Sequence, residues 1–262
     1  MLAKSTSQSS FKIFWIHALA ATEASLLLRY RQSFSGFLWV ILNPVIMFSA
    51  QSLVFHYILR IDVENYFIFL LSGLLPWLFV VQSLEMNSTV IINNSRVTKA
   101  YPINPLAFVV AQLIDNLINF LVALLTLIAV LLFWGKPISP YSIFLFIPLI
   151  PLAVGTLSLS IIISVGNVFL RDLKFVVSFV LSVSFYLTPI FYPENFLPPA
   201  LSWLPKLNFL YLMIKPIRSF LYGETNGSML FDLSLSLGTT CVLVLVATWV
   251  WQKHRNAVHL YV

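Results

Sequence analysis

The sequence predicts an all-α integral membrane protein with six transmembrane helices, and three observations carry that prediction. Sixty per cent of its residues are hydrophobic, only 9% are charged and the mean hydropathy is +0.93, whereas a soluble domain carries roughly a quarter of its residues charged. The apolar runs are continuous and reach the ~20 residues that a spanning helix needs, far beyond the ~10-residue alternating strands of a barrel. The basic residues fall in short clusters between those runs, which is where topology signals sit. That placement accounts for the net charge of +6 with no nucleic-acid partner.

The elements follow in order. Met1 to Ser10 is polar, and Phe11 to Leu28 is interrupted by Lys12, His17 and Glu23, too often for a cleavable signal core. Apolar or small residues at Phe11, Trp15, Ala18, Leu19, Thr22 and Leu26 recur at helical spacing and predict an amphipathic helix along the cytoplasmic interface. Residues 1–36 are read as this N-terminal part and 37–262 as the transmembrane domain. Arg29 and Arg31 border the first span, Phe37 to Leu59, and resist translocation, so this end is assigned to the cytoplasm. A short outer loop with Arg60, Asp62 and Glu64 leads to the second span, Tyr66 to Leu84, kinked at Pro76.

Glu85 to Pro105 is the least apolar interior stretch. It is long for a connector, ends in two prolines and is expected to hold a short helix on the cytoplasmic side. Leu106 to Trp134, Tyr141 to Val168, Phe175 to Tyr192 and Leu230 to Trp251 are the remaining spans, an even total that returns the C-terminus to the cytoplasm. Residues 193–229 are apolar but broken by Pro193, Pro198, Pro199, Pro205 and Pro216 into pieces too short to cross, as suits one or two re-entrant or interfacial helices on the outer face. The cations agree with this topology. Lys4, Lys12, Arg29, Arg31, Arg96, Lys99, Arg171, Lys174, Lys253 and Arg255 fall inside, against Arg60, Lys136, Lys206, Lys215 and Arg218 outside.

The chemistry the chain lacks narrows its function. No stretch matches the phosphate-loop pattern G-x-x-x-x-G-K-[ST], so any ATP has to be hydrolysed by a partner chain. His17, His56, His254 and His259 are scattered and fit no metal spacing. No aspartate-rich pair suited to magnesium and a diphosphate is present, against a membrane prenyltransferase. Cys241 is the only cysteine, so no intrachain disulfide or thiolate metal site can form. No repeat relates the two halves, against a secondary transporter of inverted repeats. Gln112, Asp115, Asn116 and Asn119 form one polar stripe near the inner end of the third span. It is expected to make interhelical or loop hydrogen bonds, with a substrate or proton site as the sharper alternative.

Aromatics at span ends are expected to anchor at the membrane interface. Others lie mid-span: Phe179, Phe185 and Tyr186 in the fifth span, with Trp39 and Phe48 in the first, could offer ring faces to a sliding sugar polymer. Arg29 and Arg31 carry two readings as well. Topology alone suffices for them, and the second role is contact with the pyrophosphate of a lipid-linked substrate, since guanidinium pairs bidentately with phosphate oxygens.

Several motifs together resemble a family. Arg29-Tyr30-Arg31-Gln32-Ser33 with Gly36, Trp39, Asn43 and Pro44, then Asn167-Val168-Phe169-Leu170-Arg171-Asp172, then Leu187-Thr188-Pro189-Ile190-Phe191-Tyr192-Pro193, Leu197-Pro198 and Leu207-Asn208 run in the order found in ABC-2 type polysaccharide export permeases. The nearest resemblance is to the O-antigen exporter group, with capsule and teichoic acid exporters as relatives. Ser35 stands where leucine is common, and Phe209 where proline usually follows the asparagine.

The resemblance implies a homodimer with two nucleotide-binding ATPase subunits on its cytoplasmic face, which hold the ATP and magnesium; this chain itself binds no cofactor. It implies ATPase docking on residues 85–105, at Asn94, Ser95, Arg96, Lys99 and Tyr101, and on the N-terminal helix. It implies outer gate helices within 193–229, a channel lined by the first and fifth spans, and an undecaprenyl pyrophosphate-linked glycan moved outward through a bacterial inner membrane. Three other readings stay open: a drug or lipid permease of the same fold, a membrane enzyme acting on lipid-linked sugars, and an ion-coupled flippase.

Overall fold

A computed structural model describes residues 2–31, 46, 63, 65–135, 139–223 and 229–261. The predicted first span, with Trp39 and Phe48, lies outside the described residues apart from Ile46, and of Arg29 and Arg31 only the helical backbone is described. The described elements are helical. In chain order they are α1 (Leu2–Arg31), α2 (Tyr66–Asn93), α3 (Ser95–Ala100), α4 (Leu106–Phe133), α5 (Phe146–Phe169), α6 (Leu173–Leu187), α7 (Leu204–Leu207), α8 (Phe209–Tyr222) and α9 (Met229–Tyr261), with single 3-10 turns at Pro140–Phe144, Glu194–Phe196 and Pro199–Leu201.

Four of these, α2, α4, α5 and α9, are long and apolar enough to cross a membrane, and they match the predicted second, third, fourth and sixth spans. α2 is the most enclosed of them and forms the axis of the bundle, packing on α4, α5, α6 and α8. Its start is set by Asn65, which takes the left-handed conformation (φ 48°) that asparagine tolerates. The Asn65 carbonyl accepts from the backbone N–H groups of Ile68 and Phe69. Pro76 lies inside α2, as the sequence predicts.

Three boundaries differ from the sequence reading. Glu85 to Asn93 is not loop but the last turns of α2, because Met86, Val90 and Ile91 continue an apolar pattern, and Val90 and Ile91 pack against Val109, Val165 and Val168. The fifth span does not reach Tyr192 as a helix. α6 ends at Leu187 because Pro189 pushes Thr188 into an extended conformation (ψ 131°), and its 15 residues rise only ~22 Å, short of a ~30 Å hydrocarbon core. Pro216, expected to break the outer segment, sits inside α8. Burial of Met213, Ile214, Ile217, Phe220 and Leu221 against α2 and α5 holds the helix through it.

Packing at the two ends fixes which segments are neighbours. At one end α1 lies on the start of α4, with Ala18 buried against Ala107 and Val110, and the Thr22 hydroxyl donating to Ala18 O (2.9 Å). α3, the α5–α6 turn and the end of α9 share this end, where Val258 joins Val90, Val109 and Val168. At the far end Phe67 meets Trp134 with ring centroids 6.0 Å apart, and the 188–223 segment covers the bundle. α1 turns Phe14, Ala18 and Thr22 inward and leaves Phe11, Trp15 and Leu19 exposed, so its predicted apolar stripe divides between protein and surroundings.

At Gly155 α5 lies close to both α8 and α9. A Cβ there would lie 2.3 Å from Met213 Sδ and 3.2 Å from Thr240 Oγ1. Gly155→Val should therefore force the helices apart at a cost of about 1–3 kcal/mol. A lowered unfolding temperature of detergent-purified protein, followed by intrinsic fluorescence, is the expected result.

Candidate functional site

Two regions gather the candidate residues, one at each end of α2. At the α3 end, α2 is broken by Asn94, whose side-chain amide donates back to Val90 O (2.8 Å) while its carbonyl accepts from Val97 N and Thr98 N. The same residue thus ends one helix and begins the next. α3 buries no residue. Arg96, Lys99 and Tyr101 are exposed, Tyr101 by 63%, and Asn94 and Ser95 are half-buried at the base. The arrangement is a short cationic prong joined through one residue to a 28-residue span.

The far end holds a network that centres on Arg218 of α8. Its side chain is 2% exposed. Its guanidinium donates to Pro189 O through Nη1 and to Ile190 O through Nη2 (2.6 Å), and it lies 4.3 Å from the centroid of the Phe69 ring. The next carbonyl, Phe191 O, accepts from the Tyr66 hydroxyl (2.9 Å). Those carbonyls follow the α6 break at Thr188, where the chain has no helical donors to offer them, and in an apolar setting each would be costly if left bare.

One turn earlier on α8, Lys215 Nζ lies 2.8 Å from Glu194 Oε1 and 3.3 Å from Asp232 Oδ1. The Tyr211 hydroxyl donates to Glu194 Oε1 (2.7 Å), and Ser219 Oγ donates to Asp232 Oδ2 (3.4 Å). Asn208 caps α8 by accepting from Leu210 N and Tyr211 N, and its amide donates to Thr188 Oγ1 (2.7 Å). Burial pushes Glu194 up, but the Lys215 and Tyr211 hydrogen bonds and the Lys215 and Arg218 charges outweigh it, so the carboxyl is held below its ordinary range. Burial pulls Lys215 down, and Glu194 and Asp232 more than reverse that, leaving the ammonium above the ordinary lysine range.

Between the two ends, α6 presents three faces. Phe175, Phe179, Ser182 and Tyr186 form an exposed stripe at i, i+4, i+7 and i+11, with Phe179 70% and Tyr186 69% exposed. Phe185 points elsewhere: it is half-buried, with its ring 5.9 Å from Trp77 and 5.7 Å from Phe191. On that inward side Ser178 Oγ donates to Glu85 Oε1 of α2 (2.8 Å). The third face, including Val177, Leu181 and Ser184, lines an apolar groove of about 400 Å³ together with Leu159, Ile163, Trp203 and Leu207.

The polar stripe of α4 serves helix packing. Asn116 Nδ2 donates to Ser83 Oγ of α2 (3.4 Å), and Gln112 Nε2 reaches Asp115 Oδ2 (3.4 Å) along the same helix. The expected interhelical role is therefore present for Asn116. Asn167 is buried and accepts from Lys174 N (3.3 Å), which ties α6 to the end of α5 and gives the Asn167–Asp172 motif a structural reason.

Sequence reasoning gave Lys215 and Arg218 only a place in a charge count and did not single out Gly73, Glu194 or Asp232. One signal was available: a cation three residues from another inside an apolar helical run is expensive unless paired. The partners were not legible, since the Arg218 acceptors are backbone carbonyls from 28 and 29 residues away.

Residues 17–222 match the family model described as ABC-2 type transporter. The chain is also similar to curated proteins named O-antigen export system permease protein RfbA. One from Klebsiella pneumoniae is 28% identical, covering 88% of this chain and 89% of the relative. A second from the same species is 30% identical with the same coverage. One from Myxococcus xanthus is 30% identical over 67% of each chain.

The Lys215–Glu194 pair predicts a pH profile. With its folded pKa lowered, Glu194 contributes in full above the ordinary carboxylate pKa, and the contribution drains away as pH falls through the lowered value. Lys215 contributes in full below the ordinary lysine pKa, and its share is lost only as pH rises past the raised value. Glu194→Gln should lower the unfolding temperature at neutral pH and shrink its fall on acidification. Thermal scans of both proteins from about pH 8 down to about pH 3 measure this.

Proposed function

This chain belongs to the ABC-2 type transporter family, and we propose that it is the permease subunit of an exporter that carries a lipid-linked polysaccharide of O-antigen type across a bacterial inner membrane. The similarity to O-antigen export permeases over 88% of the chain is the observation that carries this reading. A separate ATPase, holding the ATP and magnesium, supplies the energy. The permease moves its substrate and makes or breaks no covalent bond.

In this proposal two copies form a homodimer, each with six spans. The first span is Phe37 to Leu59, and α6 with the residues after it is the fifth. Both termini are cytoplasmic, as the cations at the α3 end support: Lys12, Arg96, Lys99, Arg171, Lys174, Lys253 and Arg255 are all there. α3, with Asn94 and Ser95 at its base and Arg96, Lys99 and Tyr101 exposed, is the ATPase dock. α1 lies in the membrane interface with Phe11, Trp15 and Leu19 toward lipid. Residues 193–229 form the outer gate.

The exposed Phe179 and Tyr186 stripe faces the glycan path together with Trp39 and Phe48, while Phe185 supports it from behind. Ring faces give weak, repeated contact that lets a polymer slide. Arg29 and Arg31 meet the pyrophosphate of the undecaprenyl carrier. When ATP closes the ATPase pair, the force enters at α3 and runs along α2, the most enclosed of the four long apolar helices.

A second reading, export of a lipid or drug, draws support from the lateral apolar groove beside α6. Cell-surface glycan separates the two, because only the polysaccharide exporter loses it on deletion. Tagged protein purified from its native membrane should bring down a soluble ATPase in equal stoichiometry. Combined substitution of Arg96, Lys99 and Tyr101 by alanine should cut surface glycan at least tenfold (roughly 1.4 kcal/mol or more in coupling). Normal export in that variant would remove α3 as the dock. Lysine at both positions 29 and 31 should keep topology and impair export, and unimpaired export would remove the pyrophosphate contact.

A further inference from the structure

We propose that Arg218 is a positioning residue that clamps the outer gate segment to α2, so that α2 and the gate move as one body when the ATPases act on α3. The inference rests on the exporter reading above and adds to it the residue that connects the driven helix to the gate.

The geometry is costly for a merely structural contact. A fully buried guanidinium loses its hydration, and its bonds to Pro189 O and Ile190 O offset only part of that loss. Among the described residues Arg218 Nε has no hydrogen-bond partner. The seat also demands the absence of a side chain at residue 73, since a Cβ on Gly73 would coincide with the guanidinium, 2.0 Å from Nη2. The fold accepts both penalties at one point, and what it obtains there is a joint between three elements.

That joint takes in α2 through Phe69 and Gly73, the α6 exit through Pro189 O and Ile190 O, and α8 through Arg218 itself. Tyr66 of α2 holds the third consecutive carbonyl, Phe191 O. Three backbone acceptors in a row at the α6 exit are therefore bound from α2 and α8 side chains. Lys215 extends the joint to Glu194 and to Asp232 of α9. At its other end α2 continues through Asn94 into α3. A displacement of α3 thus reaches the gate through a 28-residue helix, ~42 Å long, and one guanidinium. Coupling over such a distance needs a contiguous packed element of this kind.

The test separates coupling from packing. Gly73→Ala displaces the guanidinium and leaves Arg218 in the chain, while Gly73→Ala with Arg218→Leu restores an apolar fit without the cation. Each variant is expressed in cells lacking their own copy and read by surface glycan, and the purified complex with its ATPase is read by ATP hydrolysis. Both variants should keep basal ATP hydrolysis in the purified complex, yet display at least tenfold less surface glycan than wild type. Wild-type surface glycan in the double variant, or loss of ATP hydrolysis together with export, would show Arg218 to be structural only and overturn the clamp.

A measurement on the otherwise native protein stands beside it. On a Cys241→Ser background, spin labels at Phe133, at the far end of α4, and Phe196, in the gate segment, should change separation when the complex is trapped with ATP and vanadate. An unchanged distance would also overturn the clamp. Normal surface glycan in cells lacking the permease would instead sink the exporter reading itself.

Discussion

A helix that ends inside or beside hydrocarbon must find donors for its last carbonyls, because no water is at hand to supply them. That constraint falls hardest on this chain at the end of α6, where Pro189 stops the helix and has no N–H of its own. The protein answers with charge rather than water: Arg218 serves two of the carbonyls that follow and the Tyr66 hydroxyl a third. Most of the far end follows from that choice. Gly73 must be small, Phe69 must present its face, and α8 must bury the side on which Arg218 lies.

The opposite end meets the same constraint with asparagines and small residues. Asn94 returns its amide to Val90 O where α2 stops, and Asn167 receives Lys174 N where α5 gives way to α6. Ala18, Ala107 and Ala111 let α1 approach α4 closely, with Thr22 near Ala111 O (3.4 Å). The two ends therefore differ in chemistry as well as in position. One is locked by a buried cation and an ion-pair network, whereas the other is trimmed with neutral turns and leaves its cations free in solvent on α3.

Three side-chain hydrogen bonds join helices along the bundle. Asn116 with Ser83 joins α4 to α2, Thr240 with Pro151 O joins α9 to α5, and Ser178 with Glu85 joins α6 to α2. Such interhelical bonds are individually modest in membranes. Their distribution leaves the Phe175, Phe179, Ser182 and Tyr186 stripe of α6 exposed among the described residues.

Length and continuity of the apolar runs gave six spans, of which four are helices long enough to cross among the described residues, and they placed the starts of α2 and α4 and, within one residue, of α9, because hydrocarbon thickness and backbone satisfaction allow little else. The short helix within 85–105 was legible because the closing prolines separate it from α4, although Glu85 to Asn93 of that stretch belong to α2. Chain order and motif spacing also carried the family. The tertiary structure alone decided that α6 stops short at Thr188, that α8 continues through Pro216, and that Lys215 and Arg218 are bonded inside the far end rather than exposed in a loop. In sequence a cation outside a span reads as a topology signal whatever it touches. Its real role depends on acceptors that are backbone carbonyls of a distant turn, and every residue type carries the same carbonyl, so no pattern of side chains can announce them.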